Sequence, residues 1–137
     1  MDELDAFIHL RAGRAFAWWD ADCTILAAEW VLQRTGADPL APLRAEGGML
    51  AGRRLLPALR KVRARGGFAV VASELLGPAM PGLMAQRGDV VLVRSGQRAG
   101  RVRGLAFGVC TGANIAAPGA HGIAFLPVTG AEAAWRV

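Results

Sequence analysis

Apolar residues recur at helical spacing through the first half of the chain and in short runs broken by glycine or proline through the last third. That change of texture predicts helices first and a sheet afterwards. Residues 2–12 read as a first helix, capped by Asp2, with Leu4, Phe7, Ile8 and Arg11 on one side and Gly13 at its end. Asp22 to Thr35 reads as a second, with Asp22 as N-cap and Gly36 as stop. Only Thr24, Glu29, Gln33 and Arg34 interrupt its apolar residues, so it is expected to be buried on most sides, Glu29 and Gln33 forming a narrow polar stripe.

Asp38-Pro39 and Pro42 make Ala37 to Gly48 a predicted loop. Met49 to Arg65 is a basic amphipathic segment in which Leu50, Leu55, Leu59 and Val62 oppose Arg53, Arg54, Arg60, Lys61, Arg63 and Arg65. Pro57 must either kink this helix or open its second half, and Gly66-Gly67 closes it. In Phe68 to Leu76, Val70-Val71 favours a strand and Ala72, Glu74, Leu75 and Leu76 favour a helix; the balance lies with helix. Val90–Arg94, Leu105–Thr111, Asn114–Ala117 and Gly122–Val128 are the candidate strands, with an exposed connection from Ser95 to Gly104 and a tight turn at 118–122. Thr129-Gly130-Ala131-Glu132 has the capping-box pattern and predicts a last helical turn through Trp135. The expectation is one α+β domain over residues 1–137, with no repeat or linker.

A chain of 137 residues has room for a modest core, and its hydrophobic fraction of 53% excludes a disordered chain. No apolar run approaches roughly 18 residues and the N-terminus is acidic, so neither a membrane span nor a secretory signal is expected. The formal charge is +5, and of 16 basic residues only Lys61 is lysine. Part of that arginine excess reads as the codon bias of a GC-rich genome, although arginine still suits anionic partners. Cys23 and Cys110 fit no metal spacing, and neither a metal nor a cofactor is expected. No phosphate-cradling Gly-rich loop is present, and the basic segment lacks interleaved aromatics, so nucleotide hydrolysis and nucleic-acid binding are both disfavoured.

Asp22-Cys23, where an aromatic loop (Phe16, Trp18, Trp19) gives way to the long apolar helix, is the position richest in chemistry. A cysteine in the first turn of a helix feels the partial positive charge of unpaired N–H groups, which favours the thiolate, whereas the neighbouring Asp22 carboxylate opposes it. Against that stands the bland reading of Cys23 as a small buried residue and Asp22 as a cap. Trp18, Trp19 and Trp30 either line a cleft beside Cys23 or, as the shortage of other large aromatics favours, contribute at least two rings to the core. His121, in a Gly-rich turn, and His9, on the first helix, are the two histidines that could serve Cys23 as base. Trp135 is either a packed end or an anchor for a neighbouring protein.

Asp22-Cys23 opening a buried helix, followed by Arg87-Gly88-Asp89-Val90-Val91-Leu92-Val93 opening a sheet, resembles the NlpC-type, papain-like cell-wall peptidases over about residues 16–128. Those enzymes carry DC(S/T) at the helix start and a GDLV strand leading to HVGIY. The resemblance implies a papain-like fold with the N-terminal helices packed on a small antiparallel sheet. On its pattern the activating histidine falls on Ala106 and a third polar group on Ala116, and alanine can neither take nor give a proton. The whole chain resembles small proteins of tailed phages, prophages and gene transfer agents. Ala27-Ala28-Glu29-Trp30, Thr35-Gly36-Ala37-Asp38-Pro39 with Pro42, Ala116-Ala117-Pro118-Gly119 and Trp135-Arg136-Val137 carry that likeness.

These resemblances imply a non-catalytic tail-associated structural or assembly protein on a degenerate peptidase scaffold. It would act in the bacterial host cytoplasm during assembly and then in the virion tail, with other tail or tail-tip proteins as partners. Trp19, Asp22, Arg53, Arg54, Arg60 and Trp135 are its expected contact residues. The alternative is a cysteine peptidase or amidase acting on peptidoglycan peptides, with Cys23 as nucleophile and His121 or a partner's group as base; a DNA-contacting factor is the third reading.

Overall fold

The computed structural model describes residues 2–95 and 104–137. Among them, five helices precede a six-stranded antiparallel sheet: α1 (Glu3–Arg11), α2 (Cys23–Thr35), α3 (Ala41–Arg44), α4 (Leu55–Ala64) and α5 (Phe68–Leu76), then β1 (Met80–Pro81), β2 (Val90–Arg94), β3 (Leu105–Cys110), β4 (Asn114–Gly119), β5 (Gly122–Pro127) and β6 (Ala131–Trp135). The strand order is β1-β6-β2-β3-β4-β5. The α+β expectation holds at that level. Among the described residues no helix is long and apolar enough to cross a membrane.

The first two helices end where local chemistry places them. Asp2 caps α1 by accepting from the Asp5 N–H at 2.8 Å. Gly36 closes α2 at φ 81°, a left-handed conformation that glycine adopts without a Cβ clash. The polar stripe on α2 then holds α1: Glu29 receives Arg11 at 3.1 Å and Arg14 at 2.6 Å, while Arg34 reaches Glu3 at 2.7 Å.

The middle of the chain departs from expectation in detail. A four-residue helix, α3, interrupts the Ala37–Gly48 loop, with Pro42 in its first turn, where proline's missing N–H costs nothing. Pro57 likewise stands in the first turn of α4, so it opens the second half of the basic segment instead of kinking it. Phe68–Leu76 is helical. The expected Ser95–Gly104 connection lies outside the described residues except for its ends, which meet through the Ser95 N–H and Gly104 carbonyl at 2.6 Å. The turn at 118–122 is the two-residue β4–β5 hairpin loop, with Gly119 paired to Gly122.

The last segment contradicts the helical turn expected through Trp135. Val128–Gly130 is one 3-10 turn, and Ala131–Trp135 is a strand pairing with β1 on one side and β2 on the other. A capping box can satisfy the first amides of a helix, but here the two neighbouring strands supply a full ladder, and those partners are remote in sequence. The period of two is visible in burial: Ala133 and Trp135 join the cluster under the helices, whereas Ala134 joins the one on the opposite face.

The sheet therefore separates two apolar layers. Between the helices and the sheet, Leu26 and Trp30 of α2 meet Val90, Leu92, Val109 and Trp135; behind the sheet lie Val91, Val93, Cys110, Ile115 and Ala134. Trp135 is completely buried, its ring 6.1 Å from Phe107 and its Nε1 donating to Ser73 Oγ at 3.2 Å. It cannot serve as an exposed anchor, so that expected contact residue is withdrawn. Of Trp18, Trp19 and Trp30, only Trp30 is in the core; the other two are half-buried, contrary to the expectation that at least two would be buried.

Trp135→Ala is expected to lower the unfolding free energy by about 3–5 kcal/mol, the usual range for removing a buried aromatic ring; a urea-denaturation loss under about 1 kcal/mol would contradict this packing. Burial pushes the Glu29 carboxyl up, but hydrogen bonds from Arg14 and Arg11 outweigh it and hold it below the ordinary 4.5. A carboxyl depressed on folding contributes stability above its unfolded value, and that stability is lost as pH falls through the lower folded value. Stability should therefore decline on acidification below 4.5, and Glu29→Gln should be less stable near neutrality with a shallower decline. Identical acid slopes in both proteins would remove Glu29 from the account.

Candidate functional site

The loop before α2 is drawn tight by its own backbone. Ala17 and Ala21 form a bridge, with the Ala21 N–H donating to the Ala17 carbonyl at 2.8 Å, and Trp19 stands at the apex with φ 76°. Among the described residues it is the sole non-glycine with positive φ, a conformation that costs an L-residue roughly 1–2 kcal/mol. Phe16 N–H donates to the Gly119 carbonyl at 2.8 Å and moors the loop to the β4–β5 hairpin.

Asp22 holds this strained turn in place. Its side chain is buried, and it accepts from the Trp19 N–H at 2.9 Å, the Ile25 N–H at 3.1 Å, the Thr24 hydroxyl, and Arg44 Nη2 at 2.6 Å. Arg44, at the end of α3, also donates to the Trp19 carbonyl and stacks 4.1 Å above the Trp19 ring. One guanidinium and one carboxylate thus clamp both sides of the Trp19 peptide unit. Hydrogen bonds to charged groups contribute about 1.5–3 kcal/mol each, enough to offset the φ strain. Trp18 Nε1 donates to the Arg53 carbonyl at 2.7 Å, and Arg53 makes an exposed 3.5 Å pair with Asp20, a contact worth little by itself.

Of the expected contact residues, Trp19, Asp22 and Arg53 are brought together here, while Arg54 and Arg60 lie exposed along the α4 segment and Trp135 is in the core. Asp22 is too buried to meet a partner and serves as the N-cap. Sequence reasoning missed Arg44, because nothing in an arginine after Pro42 signals a carboxylate 22 residues earlier.

Cys23 opens α2 and is half-buried. Desolvation, with the Asp22 charge adding, pushes its thiol up to about 11, against the backbone hydrogen bonding of Phe107 and of the helix start, which acts the other way. The dipole-activated thiolate is therefore overridden. His9 and His121 are exposed, and among the described residues no imidazole hydrogen-bonds to the sulfur.

The two alanines that replace the expected histidines differ in orientation. Ala116 is buried and pairs with Val109 on the helix-facing side of the sheet. Ala106 instead packs behind the sheet against the Val91–Val93 cluster, since side chains alternate along β3 and its neighbour Phe107 faces the helices. A histidine at 106 would point away from α2, so that residue-by-residue correspondence is corrected: the strand position beside Cys23 is Phe107, equally without a titratable group. Among the described residues no cluster of three or more His, Cys, Asp or Glu could hold a metal ion.

With the thiol at about 11, about one molecule in 10⁴ carries the Cys23 thiolate at neutral pH. Iodoacetamide should modify Cys23 about 10²-fold more slowly than an unperturbed thiol between pH 7 and 8, the rate climbing steeply towards pH 11, with peptide mapping to separate Cys23 from buried Cys110. Rapid labelling of Cys23 well below about pH 8.5 would show a working nucleophile instead.

No curated protein and no solved structure matches the chain. One family profile, described as "Domain of unknown function (DUF6950)", matches residues 1–137. The match runs over the full length, and the chain belongs to the DUF6950 family.

Proposed function

We propose that the protein is a non-catalytic, tail-associated structural or assembly protein of a phage, prophage or gene transfer agent, built on a degenerate NlpC-type, papain-like peptidase scaffold. The observation that carries the reading is Cys23: a nucleophile-type cysteine at the head of a central helix, kept protonated by burial and by Asp22. Acyl transfer needs a thiolate together with a proton donor for the leaving amine, and the exposed His9 and His121 supply neither role in this arrangement. The peptidase-like part of the reading draws on the placement of Cys23 against β3 and on the motif order in the sequence. The tail association draws on the whole-chain resemblance. In this reading the protein works in the host cytoplasm during assembly and then in the tail, and its partners are tail or tail-tip proteins.

Co-expression with the structural proteins encoded beside it is expected to give a stable complex that survives gel filtration. A protein that elutes alone after co-expression with each of them would overturn the assembly role. Purified protein is expected to leave a peptidoglycan-impregnated gel intact. Clearing that disappears in Cys23→Ala would instead establish the cysteine hydrolase, with His121→Ala deciding whether that histidine is its base.

A further inference from the structure

The net charge is not spread evenly along the sequence. Residues 49–79 hold six cations (Arg53, Arg54, Arg60, Lys61, Arg63, Arg65) against one acid, Glu74, a balance of +5; the remainder holds ten of each sign, so this one segment accounts for the whole +5. Arg65 is neutralised by Glu74 at 2.6 Å and Arg53 touches Asp20, while Arg54, Arg60, Lys61 and Arg63 have no acidic partner among the described residues. On α4 the positions i, i+4 and i+7 put Leu56, Arg60 and Arg63 on one exposed stripe, and Leu56 is 58% exposed. An exposed apolar side chain is thus displayed at one end of a stripe of two guanidinium groups that have no acidic partner among the described residues.

On the inward side of α4 lies a cavity of about 80 Å³ between α2, α4 and α5, walled by Val31, Leu40, Val62, Val71, Leu75 and Phe107 among others and lined by carbon. Val62 sits between Lys61 and Arg63 in sequence, and Leu75, one of the walls, is 41% exposed. A void walled by carbon forfeits dispersion contacts until an apolar group fills it. Duplex nucleic acid would satisfy the cations but has nothing to place in such a cavity, and α4 offers no exposed aromatic ring for base stacking.

Resting on the assembly reading, we propose that the α4–α5 hairpin is the docking surface for an acidic protein segment: its carboxylates pair with Arg54, Arg60, Lys61 and Arg63, and one apolar side chain enters the cavity behind Val62. Charge sets the orientation and the encounter rate, and the anchoring side chain sets the residence time.

A random peptide library panned on the wild-type protein, with counter-selection on Arg60→Glu/Arg63→Glu, tests this. Recovered peptides should be rich in Asp and Glu around one Leu, Ile, Met or Phe. A selected peptide should bind about tenfold or more weakly to the reversed-charge variant, and similarly so at about 1 M salt, where the Debye length is about 3 Å. Replacing its apolar residue by alanine, or filling the cavity with Ala72→Leu, should also weaken it. Should Ala72→Leu fail to fold, Leu75→Ala in the cavity wall is the substitute, expected to weaken binding in the same way. Selected sequences that are neutral or basic, equal binding by the reversed-charge variant, or no enrichment would overturn the proposal. So would tighter, salt-dependent retention of duplex DNA or anionic vesicles than of any peptide. A tail complex that forms unchanged with Arg60→Glu/Arg63→Glu would sink this surface and leave the assembly role standing; peptide binding without any tail complex would do the reverse.

Discussion

A buried carboxylate at the junction of loop and helix governs the geometry of this protein. Asp22 starts α2, receives the Trp19 amide from the loop before it and binds Arg44 from 22 residues later, so two local bonds and one remote ion pair converge on two oxygens. Removing one partner of a buried ion pair leaves an uncompensated charge, which typically costs 3–5 kcal/mol. The same carboxylate bears on chemistry. It stands beside Cys23 and adds to the desolvation that keeps the thiol protonated. Structural capping and nucleophile activation make opposite demands on this residue, and here capping prevails.

The sheet divides the labour of the rest. Its helix-facing side carries the large side chains, with Trp135 and Trp30 in one continuous cluster, and its reverse side is a thinner layer of Val, Ile and Ala. Strand β6 lies between β1 and β2, so the end of the chain is interior structure with hydrogen-bonding partners on both flanks. That placement takes Trp135 away from any interface. The described cations without an acidic partner lie mainly on the α4–α5 hairpin.

The concentration of charge is consistent with a protein that works by contact. An excess of arginine spread evenly would read as genome composition. The remainder of the chain is neutral, each sign appearing ten times, and the described arginines outside the hairpin include Arg11, Arg14, Arg34, Arg87 and Arg136, each matched to a carboxylate. The unmatched described cations fall mainly along one helix that also shows a leucine to solvent.

Local sequence determined whatever depends on neighbours a few residues apart. Asp2 and Asp22 mark helix starts and Gly36 marks a stop, because a cap is made between residues two or three apart and a left-handed turn needs glycine at one position. Strands β2 to β5 were legible for the same reason, as was Cys23 at the head of a helix. What tertiary structure decided was every property set by a distant partner. Ala131–Trp135 carries a helical start signal yet becomes a strand, since its ladder is completed by residues some 40 to 50 positions earlier. Arg44 was invisible because its carboxylate is reached only once the α2–α3 loop has folded back. Ala106 faces away from Cys23 because strand register, a property of the assembled sheet, selects the face each side chain meets. The state of the thiol follows likewise from burial, which no stretch of neighbours can specify.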